Sequence, residues 1–317
     1  MRLALYLTPF GALDVARDVV RRAEALGYDS VWVPHGVGRD ALHLLGMYGA
    51  ATSRIGLGSG IIPIYPRHPV ALAQEALTLS EATDGRFRLG IGISHRPLME
   101  SAFGIELREP LATMREYVGV LRGLFTGRPF EREGRRYDGR SVLQMPGTPV
   151  PPPIYLGALG AKMTELAGEL ADGVVFWLCS PEYIERVGMP ALERGRRRAG
   201  KTLEGFDVVA CVPVALTDER DEAGAVFRQE LVRYLGLPYY RAMFVTSGYA
   251  QEVAEFDRTG VVSQDLAHAV GCVGNGGEPA AFVKRYRQAG VTLPAIRLIG
   301  WPQASWYRAT VEAGPAW

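Results

Sequence analysis

The sequence predicts an α/β protein built as a (β/α)8 TIM barrel, with insertions after strands four and seven. Three observations predict it. Short apolar runs alternate with helical faces along the whole chain. Several of these runs are apolar at nearly every position, as parallel strands buried on both faces require. Eight runs can be counted, and eight β/α units in roughly 300 residues is the size of one closed barrel. A doubly wound open sheet is the rival arrangement.

Strand one is predicted over Leu3–Thr8. A helix follows from Asp14, with Val15, Val19, Val20, Ala23 and Leu26 on one face and Gly27 at its end. Strand two is predicted over Ser30–Val33, and a helix over about 41–52. Strand three opens at Ile55 in the segment IGLGSGIIPIYPRHP, which overruns through Pro63, Tyr65 and Pro66 to a helix opened by Pro69. Its closely spaced glycines would let a flat ligand approach an unshielded backbone. Val70, Ala73, Leu77 and Ser80 mark the next helical face, and Phe87–Ile93 is strand four. Strands five to eight are predicted at Ile154–Gly157, Gly173–Trp177, Val208–Val214 and Ala295–Ile299. Gly27, Gly85, Gly173 and Gly290 each stand just past a helix, where a left-handed cap favours glycine.

Three segments interrupt the rhythm. Residues 95–107 read as a long loop. Residues 127–153 read as an insertion with extended pieces at Tyr137–Asp138 and Val142–Met145. Residues 236–270 read as a helical insertion. Long insertions shape sites or interfaces. No flexible linker divides the chain, so residues 1–317 are expected to form one domain.

Composition narrows the function classes. The chain is 48% apolar and 22% charged, enough for a large core, and its net charge of +1 gives no global attraction to nucleic acid or membrane. Arg196, Arg197 and Arg198 lie late in a predicted helix, where cations suit the dipole, and read as a solvated face. Cys179, Cys211 and Cys272 are far apart, so a reducing cytoplasm is the expected location. The opening MRLALYLTPF reads as a strand rather than a signal peptide. No apolar run approaches the ~20 residues of a membrane span.

A barrel's site lies at the carboxyl ends of its strands, and this selects candidates. His35 ends strand two and His95 ends strand four. Histidine there can donate to a carbonyl or carry a proton near neutral pH. The plainer reading is a loop histidine bonded to backbone. His43 and His268 read as structural, and His68 as organising the turn before Pro69. No metal site is expected, because no His-Glu-x-x-His and no close Cys/His pairing occurs. No Gly-x-Ser-x-Gly elbow favours a serine hydrolase. Gly56-x-Gly58-x-Gly60 does not open a helix directly, so it is no dinucleotide fingerprint. Gly157-Ala158-Leu159-Gly160-Ala161-Lys162 does open a helix, and its bare amides with Lys162 form a candidate phosphate cradle.

Taken in order, these pieces resemble the bacterial-luciferase-like superfamily, and within it the branch that uses deazaflavin coenzyme F420. The resemblance runs through Glu24-Ala25-Leu26-Gly27-Tyr28-Asp29-Ser30-Val31-Trp32-Val33, the third strand to Arg67-His68-Pro69, and the helix Ala71 to Leu79. It continues through Asp84-Gly85-Arg86-Phe87-Arg88-Leu89-Gly90-Ile91-Gly92, Pro153 to Gly157, and Leu170-Ala171-Asp172-Gly173-Val174. It implies an oxidoreductase, usually a homodimer, moving a hydride between the coenzyme and a small organic substrate. It also implies a cis peptide at the end of strand three, here Gly60–Ile61, with Ser59–Gly60 as second choice. By position, Ser59, Gly60 and Ile61 would back the ring. Ser94 would lie by the ring or its ribityl chain. Gly157, Ala158, Leu159, Gly160 and Ala161 would hold the phosphate, and Trp177 would line the same pocket. His35 and His95 would face the substrate. FMN is the alternative cofactor, in a monooxygenase on the same barrel, and a binding barrel without turnover is a further one. Many relatives carry Asp-His after strand two, where this chain has His35-Gly36, and Glu100 is the nearest carboxylate after strand four. Tyr65 and Phe103 join Trp177 as aromatic pocket candidates.

Overall fold

The computed structural model describes residues 1–147 and 149–317; Thr148, inside the predicted 127–153 insertion, lies outside the described residues. Eight parallel strands close into a barrel: Ala4–Tyr6, Ser30–Val33, Gly56–Ser59, Phe87–Gly92, Ile154–Gly157, Gly173–Phe176, Asp207–Leu216 and Leu293–Leu298. These are strands one to eight below. Strand one pairs with both neighbours at once, Ala4 opposite Ser30 and Ala295, and this pairing closes the ring. The closed barrel rules out the open doubly wound sheet. Two further short strands pair in parallel beside the ring, Ile62–Pro63 along the end of strand four and Cys272–Gly274 along the end of strand seven.

Alternation along each strand sorts the side chains. Tyr6, Trp32, Tyr155, Val175, Val209, Cys211, Leu293 and Ala295 fill the barrel interior. The opposite faces pack on the helices in a continuous apolar layer. The strand-three glycines serve this interior. A Cβ on Gly58 would strike the Trp32 ring, and one on Gly60 would strike the Tyr6 hydroxyl. Two aromatic side chains of the protein itself therefore require glycine at these positions, a reason the sequence pattern alone does not supply. In the same way, Cβ atoms on Gly92 and Gly157 would meet Ile61, at 2.8 and 2.9 Å.

Gly27, Gly85 and Gly290 adopt the left-handed φ expected of helix exits, at 86°, 73° and 96°. Gly173 does not; it opens strand six, and a Cβ there would hit the Tyr155 ring. Residues 95–107 are not a plain loop. They hold the helix Arg96–Phe103, with Pro97 in its first turn, an Arg96–Glu100 pair at 2.8 Å and left-handed Gly104 at its end. In the 127–153 insertion the paired strands are Phe130–Arg132 and Gly139–Ser141, so both predicted extended pieces miss the ladder. The later insertion is helical as expected, with helices Pro238–Thr246, Ala250–Thr259 and Gln264–Val270. Arg197 and Arg198 are exposed, but Arg196 is buried, stacked 5.0 Å from the Phe206 ring and donating to the Thr202 carbonyl at 2.6 Å. Its long stem is packing rather than a solvated face. No described helix is long and apolar enough to cross a membrane.

Candidate active site

The carboxyl ends of the strands open into a cavity of ≈ 740 Å³. Its wall is drawn from every predicted cluster: Pro34 to Val37, Gly60 and Ile61, Gly92 to His95, Gly157 to Met163, and Trp177. The helices after strand seven add Arg233, Tyr234, Leu237, Tyr239 and Tyr240, none of which the strand-end rule could reach. Among the described residues no Asp or Glu lines it.

Most of the predicted site residues meet here. His35, His95, Gly60, Ile61, Ser94, Gly157, Ala158, Leu159, Gly160, Ala161 and Trp177 all line the cavity. Ser59 does not. It is fully buried, donating to the Gly90 carbonyl and accepting from the Gly90 N–H, both at 2.9 Å, so it ties strand three to strand four. Tyr65 and Phe103 also stay outside: Tyr65 donates to the Arg108 carbonyl, and Phe103 is exposed. Glu100 faces solvent beside Arg96. The Gly60–Ile61 peptide is cis, and the Tyr6 hydroxyl donates to the Gly60 carbonyl. Ser94 has φ 62°, a left-handed conformation uncommon for serine and more frequent at functional positions.

His35 has a defined role in the hydrogen-bond network. The Ala41 N–H donates to its Nδ1 at 3.3 Å, so the neutral ring carries its proton on Nε2. Burial lowers its pKa, and Arg67 adds to the effect against an opposing contribution from Asp40. His35 is therefore a neutral donor at pH 7. Asp40 is the acid that the sequence seemed to lack. Five residues on, it caps the helix Ala41–Ala50 and brings Oδ2 to 3.7 Å from His35 Nδ1. Burial would raise its pKa, but hydrogen bonds from His43 and Arg67 (the latter at 2.5 Å) outweigh that and keep it ionised. An Asp before a helix reads in sequence as a cap; only the turn of residues 35–40 makes it a neighbour of the ring.

His95 differs. It is half-buried, its ring 5.5 Å from that of Tyr240, and neither ring nitrogen has a partner among the described residues. Burial lowers its pKa and nearby Arg233 lowers it further, so it too is neutral and free to take or give a proton. Across the cavity wall, the helix Ala161–Leu170 begins at Gly160 with no side-chain cap and no acid in its first turn. Its leading N–H groups, with Lys162 beside them, suit an anion. His68 caps the helix Pro69–Ala82, its ring nitrogen accepting from the Val70 N–H, as its position predicts.

A family model described as luciferase-like monooxygenase matches residues 3–293. The chain belongs to that family. Among luciferase-like relatives, a Mycobacterium tuberculosis protein provisionally named a coenzyme F420-dependent oxidoreductase is 29% identical, the match covering 93% of this chain and 94% of the relative. The F420-dependent glucose-6-phosphate dehydrogenase of Nakamurella multipartita is 33% identical over 68% of this chain and 67% of its own. A solved F420-dependent secondary alcohol dehydrogenase, in complex with an F420-acetone adduct, superposes with a TM-score of 0.78 at 20% identity. It covers 100% of this chain and 98% of that one, and the likeness bears on the fold alone.

Proposed function

We propose that this luciferase-like enzyme is an F420-dependent oxidoreductase that transfers a hydride between the deazaflavin and a small organic substrate. One observation carries the reading. A single cavity joins an uncapped helix N-terminus with Lys162 to a shelf at Gly60 and Ile61 and to two neutral histidines. Relatives named for F420 support the choice of coenzyme.

The coenzyme would supply the hydride donor or acceptor. The protein's share is positional. The amides from Ala161 onward and Lys162 would hold the phosphate end. Ile61, fixed between Gly92 and Gly157, would back the ring, with Trp177 and Ser94 near it. His35 would polarise the substrate oxygen through Nε2–H, and His95 would move the proton that accompanies the hydride. Apolar walls would exclude water. We further propose that the enzyme works as a cytoplasmic homodimer of single-domain chains, with no nucleic-acid or membrane partner.

Titration of the purified protein with F420 and with FMN tests this. Micromolar F420 binding with weak FMN binding is expected. The reverse would favour a flavin monooxygenase, for which the helices of residues 238–270 would serve as the covering lid. Tight F420 binding without turnover on carbonyl, imine or alkene panels would leave a binding barrel.

A further inference from the structure

Arg233 and Tyr234 form a group of donors that the proposed chemistry does not use. They lie on the helix Arg220–Leu235, after strand seven, and both line the cavity. The Tyr234 hydroxyl accepts from Trp177 Nε1–H at 3.0 Å and from Arg233 Nη2–H at 2.8 Å. A phenol has two acceptor sites and one proton. Both acceptor sites are filled, and the proton has no acceptor among the described residues. Tyr234 is buried, so its hydroxyl must find a partner within the cavity or forgo one.

Arg233 is held in place as well. Its guanidinium stacks on the Tyr234 ring, 4.7 Å from the centroid. It spends one N–H on the hydroxyl and has no carboxylate partner among the described residues. The cavity wall offers none either, since no described Asp or Glu lines it. Most other arginines at this end are paired. Arg67 is held by Asp40, and Arg297 by Glu230 at 2.7 Å. Arg233 is exposed at the rim, where an ordinary solvated arginine would also stand. Two facts argue against that reading: the stacking fixes its plane, and the hydroxyl it donates to is itself left with a free proton.

Arg233 and Tyr234 thus both hold protons with no acceptor among the described residues. The complementary ligand is an acceptor with no proton of its own and a negative charge. We infer that Arg233 and Tyr234 form a subsite for a carboxylate, and that the substrate is an apolar organic acid anchored there by its carboxylate. The inference rests on the reading of this cavity as the substrate site, not on which coenzyme fills the rest. Apolar Leu237, Leu111 and Leu98 supply the wall for the body of such a molecule.

The test uses benzoate and its neutral counterpart benzamide as probes, titrated calorimetrically into the whole protein with and without F420. Benzoate should bind about tenfold more tightly than benzamide to the native protein, because a charge-assisted pair is lost in the amide. Arg233→Met should abolish that preference and leave benzamide unchanged. Arg233→Lys should restore part of it, and Tyr234→Phe should cost roughly threefold, the loss of one hydrogen bond. Equal binding of the two probes, or a preference that survives Arg233→Met, overturns the inference. So does an equal loss of F420 affinity in Arg233→Met, which would make the anion the coenzyme's own. A native protein that ignores F420 but keeps the benzoate preference would defeat the proposed coenzyme and uphold the subsite.

Discussion

The two ends of the barrel solve opposite problems with similar residues. At the amino end, charges close the barrel. Arg2 donates to Asp29 at 2.8 Å and to Asp207 at 2.5 Å, Arg88 reaches Asp29 at 2.7 Å, and the Tyr155 hydroxyl donates to Asp207 at 2.7 Å. Each carboxylate is met by opposite charge, so the plug is a satisfied network. At the carboxyl end, no acid lines the cavity among the described residues, and donors from His35, Arg233, Tyr234 and the uncapped helix await acceptors. The lesson is about complementarity. Where a protein pairs its own charges it gains stability; where it leaves one sign unanswered, it prepares a place for a ligand.

This contrast can be broken by mutation. The largest effect is expected from His35→Ala. Turnover should fall by about 10²–10⁴, the usual span for a proton-handling group, with thermal stability nearly unchanged. Measuring kcat alongside the melting curve checks both halves. At the other end, Asp29→Ala should cost ~2–4 kcal/mol of stability, because it leaves Arg88 without its carboxylate and Arg2 with Asp207 alone. Denaturant unfolding measures the loss, and cofactor affinity should be untouched. Gly58→Ala, between the ends, should cost roughly 1–3 kcal/mol by forcing a methyl against Trp32.

Acid titration sharpens the comparison. Burial pushes Asp29 upward, but its hydrogen bonds and charge interactions with Arg2 and Arg88 bring it down to about 2. A carboxylate depressed in the folded state stabilises fully above its unfolded value near ~3.9, and that contribution disappears as pH falls through about 2. Stability should therefore decline between pH ~4 and ~2, by on the order of 1–2 kcal/mol after allowance for solvent, and Asp29→Asn should flatten that decline. The smallest effect concerns Asp40→Asn. Removing its charge takes away the one contribution that raises the His35 pKa and leaves that of Arg67, so the imidazole pKa should drop further. Histidine NMR titration reads this directly, and an unchanged or raised value would remove Asp40 from the His35 pair.

The barrel was legible because its signal is periodic and repeated. All eight predicted strands exist, and Ser30–Val33 and Ile154–Gly157 match residue for residue. The site was legible in outline, since strand ends can be located once the barrel is assumed. Ser59 was misplaced because a one-residue change of face separates a strand's buried side from its mouth. Asp40, Arg233 and Tyr234 were missed because nothing local marks them. One looks like a helix cap, and the others sit on an amphipathic helix far along the chain.

What the sequence determined by itself was the alternation of buried runs and capped helices, and with it the barrel, because burial and helix capping act over a few residues. Tertiary structure alone decided which glycines make room for Tyr6, Trp32 and Ile61. It also decided which acid stands beside His35 and that Arg233 meets Tyr234 rather than a carboxylate among the described residues. Those outcomes depend on distances between groups tens to hundreds of residues apart, and only the closed ring of strands sets them.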